Sequence, residues 1–137
     1  MRVLIDTNIA FTYVTGRMDP YSEEIRTILY LCSEDKLTGI LAFHSLSTIW
    51  YLTRKAPEQI RREFIRRLCE LLIISGADNN SIMKAIDNVD FRDFEDALQD
   101  CCAIASEADY IVTANIQDFR NHSTIPAVTP DELLSIL

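Results

Sequence analysis

Residues 1–9, Met-Arg-Val-Leu-Ile-Asp-Thr-Asn-Ile, decide how the rest of the chain is interpreted. Val3, Leu4 and Ile5 form a short apolar run that ends at Asp6. Such a run is typical of a parallel strand that is buried on both faces. We therefore predict a strand over residues 2–6, which delivers Asp6 at its carboxyl end, and a helix that begins at Thr7.

The rest of the chain alternates between short apolar runs and segments with helical periodicity. Further strands are predicted at residues 39–43, 72–75, 110–113 and 127–128. Helix starts are predicted after Asp19-Pro20, at Ser45, at Pro57, after residues 78–80, at Asp93 and at the capping box that begins with Thr129. Strands that alternate with helices predict a parallel sheet covered by helices on both faces.

Length and composition favour one folded domain over residues 1–137. The chain is 48% hydrophobic and has only three glycines and four prolines, which leaves little material for linkers or tails. The four cysteines lie in apolar helical patterns without metal-ligand spacing, and we expect buried thiols at Cys32, Cys69, Cys101 and Cys102. With no membrane-length apolar run or cleavable leader, these features predict a cytoplasmic protein without a membrane partner.

The charge distribution argues against binding nucleic acid through a generally basic surface. The net charge is −8, yet six of the thirteen basic residues fall between positions 54 and 67. For most of them, a solvated helix face is a better explanation than a nucleic-acid contact. Any nucleic-acid partner must therefore be held locally.

Acidic side chains stand where a parallel sheet of this kind forms its binding sites. Asp6 follows the first strand, Asp96 opens the helix before the fourth strand, and Asp118 follows the fourth strand. Converging carboxylates are the ligands that Mg²⁺ and Mn²⁺ prefer. However, each acid also has a structural explanation, because Asp6 could cap a helix, Asp96 could form a capping box with Asp93, and Asp118 could stabilise a turn.

Three segments resemble motifs of the PIN domain family, in the branch that contains VapC-like toxins. Residues 1–9 resemble the family's opening, Asp-Phe-Glu-Asp-Ala-Leu-Gln at 93–99 its third motif, and residues 108–119 its fourth. The order and spacing agree along essentially the whole chain. The resemblance implies a three-layer α/β/α sandwich around a parallel sheet of four or five strands. It also implies a Mg²⁺- or Mn²⁺-dependent endoribonuclease that is paired with a cognate antitoxin and forms a homodimer.

The same resemblance assigns roles to individual residues. It implies that Asp6, Asp96 and Asp118 are the catalytic, metal-coordinating acids. Supporting positions are Thr7, Asn8, Thr48, Asp93, Thr113 and Asn115. For an RNA substrate, the basic residues expected to hold the backbone are Arg54, Lys55, Arg61 and Arg62.

One position departs from the family pattern. The second motif is of the type Ser-Leu-Thr-Glu, and here Thr48 stands where the glutamate belongs. A hydroxyl binds hard cations much more weakly than a carboxylate, so the substitution predicts weak metal binding and weak cleavage. Acids that could compensate are Glu23, Glu24 and Asp93, and His44 is a candidate phosphate contact. The two functions left open are a toxin ribonuclease and a nuclease-impaired PIN-like binding module.

Overall fold

The computed structural model describes residues 1–137 and contains a five-stranded sheet between two layers of helices. The strands are β1 (Arg2–Ile5), β2 (Thr38–Ala42), β3 (Ile73–Ser75), β4 (Tyr110–Val112) and β5 (Ala127–Val128). The helices are α1 (Thr7–Thr15), α2 (Ser22–Ser33), α3 (Phe43–Leu52), α4 (Glu58–Leu71), α5 (Asn79–Asp87), α6 (Phe94–Ala105) and α7 (Pro130–Ile136). None of the helices is both long and apolar enough to cross a membrane.

All strand pairs are parallel, and the strand order is β3-β2-β1-β4-β5. The chain first builds the sheet outward from β1 to β3 and then returns to place β4 on the other side of β1. The carboxyl ends of β1 and β4 therefore meet at the point where the direction of winding reverses, which is where open parallel sheets bind ligands. The predicted parallel sheet and three-layer sandwich are confirmed.

Alternation along the strands divides the core between the two helical layers. Val3 and Ile5 are fully buried against the layer formed by α1, α2, α3, α4 and α7. Leu4 lies between them and points to the opposite layer, which α5 and α6 form. Helices cover both faces of β1, so every side chain of its central run is buried. This explains why the run is uninterruptedly apolar instead of alternating with polar residues.

Two helices begin at residues other than those that the sequence pattern suggests. Helix α3 begins at Phe43 rather than at Ser45, whose hydroxyl is buried and lies 2.7 Å from that of Thr7. Helix α2 begins at Ser22 because Asp19 forms a turn instead, with its Oδ1 accepting a hydrogen bond from the Tyr21 backbone N–H at 2.9 Å.

The expectation that all four cysteines are buried is wrong at one position. All four are free thiols, and three of them are buried. Cys69 is exposed, because it follows Leu68 on α4 and one residue turns the direction of a helical side chain by about 100°. Leu68 is fully buried, so its neighbour must point outward.

Helical periodicity in the sequence predicts burial at three further positions that the structure shows to be exposed. Leu52 and Ile60 lie at the end of α3 and in the first turn of α4, and their side chains are 39% and 46% exposed. Ala105 is the last residue of α6 and is also exposed. At helix ends the apolar pattern continues beyond the surface that the neighbouring elements cover, so periodicity alone overestimates burial there.

Gly39 is required by close packing between β2, α2 and the end of α4. A Cβ atom at this position would lie 2.4 Å from Leu72 Cδ2 and 2.8 Å from Cys32 Sγ. Leu72 and Cys32 are both buried, so neither side chain can move away without repacking the core.

We predict that Gly39→Ala lowers the free energy of unfolding by about 1–3 kcal/mol, as overpacking of a core does. The matched control is Gly76→Ala, because a Cβ at Gly76 meets no atom within 4 Å. Urea denaturation of both variants tests the prediction. Equal stabilities of the two variants would contradict it.

Candidate metal centre

A polar hollow of about 230 Å³ opens beyond the carboxyl ends of β1 and β4. No apolar residue lines it. The lining residues are Asp6, Thr7, Asn8, Thr48, Asp93, Glu95, Asp96, Asn115 and Asp118. The structure therefore brings the three predicted catalytic acids together with most of the predicted supporting residues. It adds Glu95, to which the sequence interpretation gave no role.

Asp6 is held in place by the register between β1 and β4. Ile5 pairs with Val112, so Asp6 and Thr113 follow side by side at the edge of the sheet. Thr113 Oγ1 donates a hydrogen bond to Asp6 Oδ2 at 2.7 Å, and Gln99 Nε2 donates to Asp6 Oδ1 at 2.7 Å. Asp6 is 3% exposed, and this burial raises the pKa of its carboxyl group although both hydrogen bonds oppose the shift.

Asp93 and Asp96 do not form the capping box that was considered for them. Asp93 alone caps α6, because its Oδ1 accepts a hydrogen bond from the Glu95 backbone N–H at 2.9 Å. The Asp96 carboxylate makes no hydrogen bond within the chain. Burial and the neighbouring charges of Asp6, Glu95, Asp93 and Asp118 raise the pKa of Asp96 to about 8.

Glu95 extends from α6 toward the start of α3. Its Oε1 accepts a hydrogen bond from Thr7 Oγ1 at 2.7 Å and lies 3.2 Å from His44 Nε2. Its Oε2 accepts a hydrogen bond from Gln99 Nε2 at 3.0 Å. Burial raises the pKa of Glu95, but the hydrogen bonds and the nearby His44 outweigh this effect and hold the pKa below its ordinary value. Glu95 is thus kept as a carboxylate inside an acidic cluster.

Three carboxylates come close enough together to share one cation. One oxygen each from Asp6, Glu95 and Asp96 lies within 4.8 Å of the others. Gln99 donates hydrogen bonds to both Asp6 and Glu95, which fixes their separation. A set made only of oxygen ligands fits a hard divalent ion such as Mg²⁺ or Mn²⁺, and such an ion would relieve the repulsion that raises the Asp96 pKa.

Thr48 lines the hollow but contributes no charge to it. Its hydroxyl donates a hydrogen bond to the carbonyl oxygen of His44, one turn earlier in α3, at 3.3 Å. Glu23 and Glu24, which were considered as replacements for the missing glutamate, line a separate hollow at the turn between α1 and α2. Instead, Glu95 on α6 brings a carboxylate to within 3.2 Å of His44 Nε2, at the start of α3.

The basic residues predicted to bind RNA do not line this hollow. They lie around the turn between α3 and α4 and are Arg54, Lys55, Arg61 and Arg62. The Arg61 guanidinium stacks on the Trp50 ring at 3.8 Å from its centroid, and Arg62 forms an ion pair with Glu58 at 2.7 Å. Their contact with RNA remains a prediction, and part of their charge is already used within the chain.

The chain is a three-layer α/β/α protein with a parallel sheet. Its carboxylate-lined hollow lies where the direction of winding reverses, as in α/β proteins that bind ligands at this edge of the sheet. The family model described as PIN domain matches residues 2–117. The chain belongs to the PIN domain family. No curated protein is detectably similar to it in sequence.

Two solved structures of VapC proteins share the fold. The crystal structure of VapBC2 from Rickettsia felis bound to a DNA fragment from their promoter has a TM-score of 0.73 and 17% identity, and the match covers 94% of this chain and 98% of that chain. The crystal structure of Mycobacterium tuberculosis VapC20, a sarcin-ricin loop cleaving toxin, has a TM-score of 0.58 and 11% identity, over 80% of this chain and 86% of that chain.

The raised pKa of Asp96 predicts an unusual pH dependence of stability in the metal-free protein. Between its ordinary pKa of 3.8 and the value of about 8 in the folded chain, the folded state binds a proton that the unfolded state has released. Stability should therefore fall as pH rises through this interval. Asp96→Asn should remove much of the fall and raise the melting temperature at pH 8.

Thermal unfolding in EDTA at pH 5 and pH 8 measures this dependence. Asp90→Asn is the control, because Asp90 is exposed and lies outside the metal centre. The prediction is contradicted if Asp96→Asn follows the same pH dependence as wild type.

Proposed function

We propose that this chain is a metal-dependent endoribonuclease and the toxin of a VapBC-type toxin–antitoxin pair. The observation that carries the proposal is the approach of the Asp6, Glu95 and Asp96 carboxylates to within 4.8 Å of one another. Membership of the PIN domain family and the fold shared with VapC20, a sarcin-ricin loop cleaving toxin, support the same reaction class.

Asp6, Glu95, Asp96 and Asp118 are the residues that would hold Mg²⁺ or Mn²⁺. When bound, the metal would lower the pKa of an attacking water and neutralise the charge that develops on the phosphodiester. Asp6 is the fixed point of the site, because the hydrogen bonds from Thr113 and Gln99 leave its carboxylate little freedom to rotate. Asp118 is exposed at the rim, where it can meet both solvent and substrate.

Smaller polar side chains complete the proposed site. Thr7 holds Glu95 through its hydroxyl and so acts as a positioning residue. Thr113 positions Asp6 in the same way, through the hydrogen bond from its hydroxyl. The Thr113 hydroxyl also accepts a hydrogen bond from the Asn115 backbone N–H at 3.0 Å. Asn8 and Asn115 are exposed, and their amide groups are available to donate hydrogen bonds to a phosphodiester.

We further propose that Glu95 supplies the charge that Thr48 lacks. The two positions lie on different helices, but both line the hollow and both contact His44. The Glu95 carboxylate lies against the His44 ring, and the Thr48 hydroxyl donates a hydrogen bond to the carbonyl oxygen of His44. Cation affinity depends on the number and placement of carboxylates, not on which helix provides them. An active enzyme is therefore compatible with threonine at position 48.

The second candidate function is a nuclease-impaired PIN-like module that binds a partner without cleaving RNA. Thr48 is the observation that favours it, because its hydroxyl bonds to its own helix and brings no charge. Under either function we expect a cognate antitoxin and a homodimer as protein partners. We also propose a cytoplasmic location, because four free thiols are typical of a reducing compartment.

Removal of one carboxylate should separate cleavage from folding. We predict that Glu95→Gln and Asp96→Asn each reduce Mn²⁺-dependent cleavage of a mixed RNA pool by at least about 100-fold. Calorimetric titration should show weaker Mn²⁺ binding by both variants. Glu34→Gln, at an exposed glutamate after α2, should behave as wild type.

The same assays decide whether the protein is a nuclease. If purified wild-type protein cleaves no RNA and binds no Mn²⁺, the ribonuclease proposal is wrong and the binding module is the better description. If wild type cleaves and Glu95→Gln cleaves equally well, only the role assigned to Glu95 is wrong.

Thr48→Glu tests whether the site is already complete. Because Glu95 provides a carboxylate in this region, a further one should add repulsion and change cleavage by no more than about threefold, in contrast to a site that lacks a ligand. Thr48→Gln controls for side-chain size. A gain in cleavage and Mn²⁺ affinity for Thr48→Glu alone would show an impaired wild-type site.

A further inference from the structure

A second hollow of about 740 Å³ adjoins the metal centre. Asp93, Asp96 and Asp118 line both hollows, so these side chains form a wall that the two hollows share. The volume lies within the range of roughly 300–1,000 Å³ that is typical of ligand pockets. A polymeric substrate bound at the metal centre could therefore place its next monomer in the second hollow.

Arg92 is the one arginine or lysine that lines either hollow. It precedes α6, is exposed, and forms neither an ion pair nor a side-chain hydrogen bond. By contrast, Arg62 and Arg120 are paired with glutamates. An uncommitted guanidinium beside a site proposed to cut phosphodiesters is available for a phosphate.

The lining of the second hollow also includes an aromatic ring and an amide. The His122 ring packs on Phe91 with 5.6 Å between centroids, and Phe91 is itself buried edge-on against Phe119. The histidine ring is thus supported by the core while it lines the hollow. Gln117 precedes Asp118 in the short 3₁₀ turn Ile116–Asp118, and its exposed amide also lines the hollow.

We propose that this hollow binds the nucleotide next to the scissile phosphate of a single-stranded RNA. Arg92 contacts its phosphate, the His122 ring stacks on its base, and Gln117 hydrogen-bonds to the edge of the base. Unpaired bases in RNA are recognised in this way, by stacking on side chains together with polar contacts to their edges. The inference rests on the proposed ribonuclease function and adds a subsite for the substrate.

An RNA strand fits the charges better than an acidic peptide does. Four carboxylates line the hollow, from Asp90, Asp93, Asp96 and Asp118, and they would repel a segment rich in acidic side chains. A nucleotide would bring a single phosphate, which we assign to Arg92, and an uncharged base, which the carboxylates do not repel.

The test compares Arg92→Gln, His122→Gln and the control Arg26→Gln. Arg26 is an exposed arginine on α2, in the opposite helical layer. The probe is a short fluorescein-labelled single-stranded RNA that contains a cleavage site of the wild-type enzyme. Cleavage kinetics are measured with Mn²⁺ at several KCl concentrations, and fluorescence anisotropy with Ca²⁺ reports binding.

We expect Arg92→Gln to raise KM by about tenfold, as loss of a charge-assisted hydrogen bond does, with a smaller change in kcat. The salt dependence should also weaken, with the slope of log affinity against log salt reduced by about 0.7. His122→Gln should weaken binding by about fivefold or more through lost stacking. Arg26→Gln should match wild type in KM and slope.

The outcomes separate this inference from the proposed function. Wild-type cleavage together with an unchanged KM and salt slope for Arg92→Gln would overturn the subsite alone. Equal changes in KM and salt slope for Arg92→Gln and Arg26→Gln would also overturn the subsite. Such a result would reflect the net charge of the protein rather than the position of Arg92. If wild type neither cleaves nor binds any RNA, the subsite falls together with the ribonuclease proposal.

Discussion

The interaction on which the site depends is the burial of the Asp6 carboxylate between Thr113 and Gln99. Parallel pairing of β1 with β4 puts Asp6 beside Thr113, and α6 brings Gln99 across the top of both strands. Without these donors, a buried carboxylate would be strongly destabilising. Because Gln99 also donates to Glu95, the group that satisfies Asp6 sets the position of the second acid.

The acidic cluster is a local source of instability within an otherwise well-packed fold. Several carboxylates face one another, and burial together with repulsion from these neighbours raises the pKa of Asp96. The two apolar cores on either face of the sheet hold the elements that carry these acids. Functional sites commonly keep such unfavourable arrangements, which the rest of the molecule must outweigh.

Local patterns identified the elements but not all of their surroundings. The apolar run before Asp6 and the periodicity of α6 were sufficient to place both correctly. The side chains of adjacent helical residues point about 100° apart, so Glu95 and Asp96 leave α6 in different directions. They share one site because the start of α6 packs close to the start of α3, which Glu95 contacts. The outward orientation of Cys69 and Leu52 depends in the same way on which neighbouring elements cover α4 and the end of α3.

By itself, the sequence determined the parallel sheet, the alternation of strands with helices and the acids at the strand ends, because these follow from short-range periodicity and from the fixed direction of parallel strands. Tertiary structure decided which residues that are distant in sequence lie close together in space. It brought Glu95 to His44 across 51 positions and left Arg92 unpaired beside the acidic hollow. It also kept Arg54, Lys55, Arg61 and Arg62 out of that hollow. These outcomes depend on how whole helices pack on the sheet, since electrostatic and hydrogen-bonding partners are chosen by distance in space.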